Sequence, residues 1–160
     1  MRIEIAAIGK MRGGPEAALV EDYLDRARGF GRRIGFSEVS LNEFEAPKSL
    51  SGAALKKREG ELLLKNISDG AALIALDERG ENISSEKLAS LLARLRDDGT
   101  GAASFLIGGA DGHGEETRAR AARLISFGAA TWPHMLVRAM LAEQLYRAMT
   151  ILSGHPYHRA

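Results

Sequence analysis

The chain has 160 residues, no cysteine and a formal net charge of +1, a length that buries roughly 70% of the surface an unfolded chain exposes. The missing thiols exclude disulfides, thiolate metal sites and a cysteine nucleophile. Near-neutral charge gives no global electrostatic reason for a nucleic-acid partner, and no apolar run reaches a membrane span or a signal peptide; the expectation is one domain, residues 1–160, in the cytoplasm and away from membranes.

Residues 2–9 alternate through Ile3, Ile5 and Ala7 as a first strand, and Gly13-Gly14-Pro15 starts a helix that runs to about residue 28 with Leu19, Tyr23 and Leu24 on its apolar face. A second, irregular strand is read over 34–41, and 42–51, with Pro47, as loop. A helix over 53–67 turns Leu55, Leu62, Leu63 and Ile67 inward and Lys56, Lys57, Arg58 and Glu59 to solvent. Residues 71–76 are apolar throughout, a strand buried on both faces, and end in Asp77-Glu78-Arg79-Gly80. Ser84 or Ser85 caps a helix over 86–96 with a Leu88, Leu91, Leu92 and Leu95 stripe. The strand over 103–107, a short helix over 115–123 and a short strand over 124–127 follow. The order is that of an α/β fold with a mainly parallel sheet flanked by helices, whose ligands sit beyond the carboxyl ends of strands.

One such end is Ile107-Gly108-Gly109-Ala110-Asp111-Gly112-His113-Gly114, with four glycines in seven residues. Glycine takes positive φ and lets backbone approach a ligand closely. Phosphate fits poorly. Thr117 stands where a dinucleotide fingerprint needs its third glycine, and Glu115-Glu116 replace the lysine and hydroxyl of a P-loop. A plain strand-to-helix turn remains open beside the ligand reading. A second loop of small residues, Gly128-Ala129-Ala130-Thr131-Trp132-Pro133, precedes the last helix.

That helix, from Pro133 or His134 to about Leu152, is apolar nearly all round, which points to a subunit interface. Glu143 and Arg147 pair at i,i+4. Arg138 has no partner on its own face and is the candidate for a ligand-facing charge. From residue 134 onward the chain holds three of its four histidines and three arginines against the single acid Glu143. The tail His155-Pro156-Tyr157-His158-Arg159 admits three readings: a metal site through His155 and His158, without a clear third ligand; a recognition tail in which Tyr157 stacks on a base, Arg159 meets phosphate and a histidine moves a proton; or an ordinary polar terminus.

The sequence as a whole resembles the SPOUT superfamily of methyltransferases and, within it, the RlmH family. The likeness lies in Met1-Arg2-Ile3, Ile8-Gly9-Lys10, Leu76-Asp77, Phe105-Leu106-Ile107-Gly108-Gly109 and Thr131-Trp132-Pro133-His134-Met135-Leu136-Val137-Arg138. It extends to Glu143-Gln144-Leu145-Tyr146-Arg147-Ala148 and the His155-Pro156-Tyr157-His158-Arg159 tail. This resemblance implies a C-terminal deep trefoil knot, an exception to unknotted topology, and a homodimer. It also implies S-adenosyl-L-methionine held in the knot, largely by backbone, at Leu76, Gly108 and Gly109 and at Phe127, Gly128, Ala129, Ala130, Thr131 and Trp132.

The activity implied is methylation of N3 of a pseudouridine in 23S ribosomal RNA of the large subunit, with no metal. Catalytic candidates are then His155, His158, Tyr157 and Arg138, and RNA-binding candidates Tyr157, Arg159 and His134. With so little net charge the protein is expected to need a structured ribosomal surface rather than naked RNA. Two departures lie beside the pocket: Met135 stands where the family usually has proline, and Gly128-Ala129 is smaller and less polar than usual. The competing classes are a non-enzymatic RNA-binding or ribosome-assembly factor with the same fold and, less favoured by the failed phosphate motifs, a nucleotide switch.

Overall fold

The structure, a computed structural model, describes residues 1–158. Five strands, β1 (Arg2–Ile8), β2 (Glu38–Phe44), β3 (Ala72–Asn82), β4 (Ala102–Ile107) and β5 (Arg123–Ser126), form one parallel sheet in the order β2-β1-β4-β3-β5. Helices α1 (Pro15–Gly31), α3 (Ser85–Asp97) and α5 (His134–Leu152) cover one face, and α2 (Gly52–Lys65) and α4 (Glu115–Arg120) the other. The pleat assigns the side chains. Ile3, Ile5 and Ala7 enter the core under α1, α3 and α5, while Ala6 and Ile8 pack with Leu63 of α2 on the opposite face. Central β4 is buried along its whole length, as expected of a strand flanked by two neighbours and two helical layers.

Three boundaries differ from the pattern in the sequence, each for a physical reason. Residues 32–34 form a 3₁₀ turn, Gly35 takes φ +88°, and β2 starts only at Glu38. The strand then continues through the expected loop to Phe44, because Ile8 of β1 still offers it a partner there. β3 does not stop at Leu76. Leu76 and Glu81 both register with Ile125 of β5, so Asp77, Glu78, Arg79 and Gly80 form a bulging excursion within the strand before pairing resumes. On α1 the buried residues are Val20, Leu24, Ala27 and Gly31, and Leu19 is 44% exposed rather than part of the core.

Ser84 caps α3 as expected, its Oγ accepting the Lys87 N–H at 3.3 Å. The apolar wrap of α5 is mostly absorbed within the chain. Leu141, Ala142, Leu145, Ala148 and Met149 are buried between α1 and α3, and Gly31 of α1 leaves so little room that a Cβ there would lie 3.2 Å from the Met149 sulfur. What remains partly open is a groove of about 630 Å³ along Leu19, Phe127, Leu136 and Met140. No helix among the described residues is long and apolar enough to cross a membrane.

Candidate active site

The carboxyl ends of β3, β4 and β5 open on a cavity of about 280 Å³, close to the lower end of the roughly 300–1,000 Å³ typical of small-molecule sites. One wall is the glycine turn after β4. It is held tight: the Gly112 N–H donates to the Gly109 carbonyl at 3.0 Å with Gly112 at φ +72°, and a Cβ on Gly108 would lie 3.0 Å from the Gly112 carbonyl carbon. The facing wall is the loop after β5. There Ser126 Oγ donates to the Gly128 carbonyl at 2.7 Å, Trp132 Nε1 donates to the Phe127 carbonyl at 3.2 Å, and Gly128 takes φ +103°. The third wall is the 77–80 excursion of β3.

Between these walls lies a polar group that periodicity does not reveal. Asp77 is nearly buried and stands 3.9 Å from Arg118 of α4, whose guanidinium also donates to the His113 carbonyl. His113 is only 3% exposed, and its Nε2 lies 3.2 Å from the Leu106 carbonyl. Burial depresses its pKa below the ordinary histidine range, the Leu106 carbonyl and Asp77 opposing and Arg118 adding to the shift. The neutral ring is therefore the folded form at pH 7, donating from Nε2. A base with a lowered folded pKa contributes stability that is complete above the unfolded value, about 6.5, and is lost as pH falls below it. Melting temperature should fall between pH 7.5 and 5.5, and His113→Leu should reduce that fall. An undiminished slope in the variant would refute the assignment. His134, also depressed by burial and by Arg138, accounts for part of the remaining slope.

Leu76, Gly108, Gly109, Phe127, Gly128, Ala130, Thr131 and Trp132 all line the cavity; Ala129 is exposed and does not. His134 lies at its edge, 3.4 Å from where a Gly9 Cβ would be, and Met135 packs over the same glycine. Arg138 is placed differently from the expectation of a free, ligand-facing charge. It is 0% exposed; Nη1 donates to Glu43 of β2 and, at 2.9 Å, to the Gly9 carbonyl, and Nη2 donates to the Ile8 carbonyl at 2.9 Å. Its work is to strap the first turns of α5 to the end of β1, which holds the loop before α5 against the cavity.

The tail lies elsewhere. Tyr157 packs its ring 4.6 Å from that of Tyr146 and donates its hydroxyl to Glu143 at 3.0 Å; Arg147, paired with Glu143 at 2.9 Å, lies 5.0 Å over the same ring. His155 meets Phe30 edge-on at 4.8 Å, and His158 Nε2 lies 3.0 Å from Glu86. None of these borders the cavity, and Arg159 lies outside the described residues. Among the described residues no three His, Asp or Glu side chains gather as a metal site. The cavity residues that sequence reasoning passed over are His113, Arg118, Arg79 and Lys56. Glu59, expected on the solvent face, is 7% exposed because α2 lies against the glycine turn. The signal was Gly60, a mid-helix glycine, which is unfavourable by about 1 kcal/mol and marks a close approach; a Cβ there would run into Thr117 Oγ1.

Residues 1–158 match the family described as "Predicted SPOUT methyltransferase". The chain belongs to the SPOUT methyltransferases. It is 51% identical over 160 residues, all of both chains, to the ribosomal RNA large subunit methyltransferase H of Hyphomonas neptunium. It is 52% identical over 159 residues, 99% of each chain, to the protein of the same name from Paramagnetospirillum magneticum. Among solved structures it resembles a probable methyltransferase from Bordetella pertussis, with a TM-score of 0.54, 15% identity and 92% and 93% of the two chains covered. A probable methylase family protein from Haemophilus influenzae gives a TM-score of 0.52 at 16% identity, over 99% of this chain and 70% of the other. These two likenesses bear out the SPOUT α/β fold. As a SPOUT methyltransferase the protein requires a methyl donor.

Proposed function

We propose that the protein transfers a methyl group from S-adenosylmethionine to N3 of a pseudouridine in 23S ribosomal RNA, acting on a structured ribosomal surface, as a cytoplasmic homodimer with a C-terminal trefoil knot. One observation carries this reading: the cavity at the strand ends is walled by two backbone turns and lined by both charge signs, Asp77, Glu78 and Asp111 with Lys56, Arg79 and Arg118. Balanced charge suits a zwitterionic ligand with a cationic sulfur and a neutral base better than a polyphosphate. Apolar Leu76, Ile107, Ile125 and Phe127 supply surface for a flat ring. Bound there, S-adenosylmethionine supplies an activated methyl group. The full-length relatives named ribosomal RNA large subunit methyltransferase H support an acceptor in large-subunit ribosomal RNA.

The chain's own residues position the reactants and handle a proton. The two turns and the Arg138 strap fix the cavity walls before the ligand arrives, so that catalysis is mainly orientation of two bound reactants. An imide nitrogen must lose its proton to become nucleophilic. His155 receives the Tyr157 N–H at Nδ1, which leaves the proton of its neutral ring on Nε2, and His158 meets Glu86 through Nε2, which leaves its Nδ1, buried and without a partner among the described residues, as the nitrogen with a lone pair for that proton. Tyr157 and Arg159 place the RNA, with His134 at the cavity edge. The tail does not border its own cavity, so in this reading the tail that serves a cavity would come from a second copy, for which the Leu19, Leu136 and Met140 groove is the proposed seat.

Mass spectrometry of ribosomal RNA from cells lacking the gene tests the reading: the N3-methylated pseudouridine should be missing and should return with the wild-type gene, and its persistence would overturn the assignment. Deleting residues 155–160 should leave cofactor binding intact and abolish methylation of ribosomes. Retained methylation by a folded truncation would remove the tail from the mechanism.

A further inference from the structure

The carboxyl group of Glu59 is held in an uncommon way for an acid on a helix with one solvent face. It is buried behind the glycine turn, and its Oε2 has no hydrogen-bond partner among the described residues. Buried polar atoms are nearly always satisfied, and an orphan in a native fold calls for a physical reason. The turn shows what the carboxyl faces. A Cβ on Gly109 would fall 2.6 Å from Oε1 and 3.0 Å from Oε2, so the carboxylate lies directly against the Gly109 backbone. The Gly109 carbonyl in turn accepts from Gly112, which closes the turn that walls the cavity. Lys56, one helical turn earlier on α2, lines that cavity itself and approaches Gly114.

We propose that Glu59 is a positioning residue for the cofactor: its carboxyl oxygen, by accepting the Gly109 N–H, fixes the glycine turn in the shape that the cavity presents to its ligand. This rests on the reading of the cavity as a methyl-donor site. Burial, with Asp111 adding, pushes the Glu59 carboxyl above the ordinary range while the Gly109 N–H and Lys56 oppose the shift. What the turn uses is therefore an acceptor oxygen, which the neutral acid also offers. An uncharged amide should serve as well as the acid, and an apolar side chain of similar length should not.

The test uses the full-length, ligand-free protein labelled with ¹⁵N. In Glu59→Met the Gly109 amide should exchange with solvent at least about ten-fold faster than in wild type, the consequence of losing one protecting hydrogen bond. Gly112 should follow, and the amides of α3 should not change. Glu59→Gln should match wild type at Gly109 within about two-fold. Affinity for S-adenosylmethionine, measured by calorimetry, should fall about ten-fold in the methionine variant and return in the glutamine variant. A role confined to stability would move the melting temperature and leave this rescue pattern absent. Unchanged Gly109 exchange in Glu59→Met, or faster exchange in Glu59→Gln, overturns the proposal. Should Glu59→Met not fold, Glu59→Gln with wild-type Gly109 exchange and affinity upholds it. If the exchange pattern holds while wild type fails to bind S-adenosylmethionine, the latch stands and the cofactor reading falls.

Discussion

Replacing Arg138 with methionine lowers the stability of the fold by about 3–5 kcal/mol, the cost of removing one member of a buried, hydrogen-bonded ion pair. The guanidinium is fully buried and satisfies three acceptors on two strands: Glu43 of β2 and the Ile8 and Gly9 carbonyls at the end of β1. A methionine fills much of the volume and donates nothing, so two carbonyls and a carboxylate lose their partner together. Among the described residues Glu43 would keep only the Met11 N–H, at 3.2 Å. Lysine should recover part of the loss, because a single ammonium cannot serve a fork of acceptors. Urea denaturation of the three proteins measures the order wild type, Arg138→Lys, Arg138→Met. A methionine variant as stable as wild type would show that the strap is not what holds α5 to the sheet.

Gly80→Ala destabilises by about 3 kcal/mol or more, at the upper end of the usual penalty for overpacking. A Cβ on Gly80 would lie 2.6 Å from the backbone N and C of Ile125 and the C of Leu124. Those are main-chain atoms of a paired strand and cannot rotate away. For a chain of this size such a loss lowers the melting temperature by roughly 6–12 °C. The same methyl group should weaken cofactor binding, since Gly80 closes the excursion that carries Asp77, Glu78 and Arg79 along the cavity. Gly70→Ala is the control: its φ is +70° and a Cβ meets nothing within 4 Å, so only the left-handed backbone penalty of about 1–2 kcal/mol applies. Equal melting temperatures for the two variants would contradict the close-approach account.

Most strands and helices could be read from periodicity because their signal is local. Ile3, Ile5 and Ala7 alternate, Leu88, Leu91 and Leu92 recur at helical spacing, and Ser84 caps where a hydroxyl precedes an apolar stripe. Errors arose where a distant partner decides the outcome. β2 extends to Phe44 because β1 pairs with it, and β3 resumes after Gly80 because β5 does. Glu59 is buried by a turn fifty residues away in sequence, and Arg138 is neutralised by Glu43, 95 positions upstream. Neither pairing leaves a trace in composition or spacing. The two cavity loops are the intermediate case. Their small residues announce a close approach, yet only the sheet order shows that β4 and β5 flank β3 and bring the two loops to one opening.

The central claim, a methyl-donor site between those loops, is tested most directly by a titration of glycine-labelled protein followed by NMR, with each of the 18 glycines as a reporter. S-adenosylmethionine should shift the amides of Gly108, Gly109, Gly112 and Gly128 saturably and leave Gly29 and Gly70 in place, while a nucleoside triphosphate moves none of them. Saturable shifts of the same four amides by the triphosphate, or their indifference to S-adenosylmethionine, would contradict it.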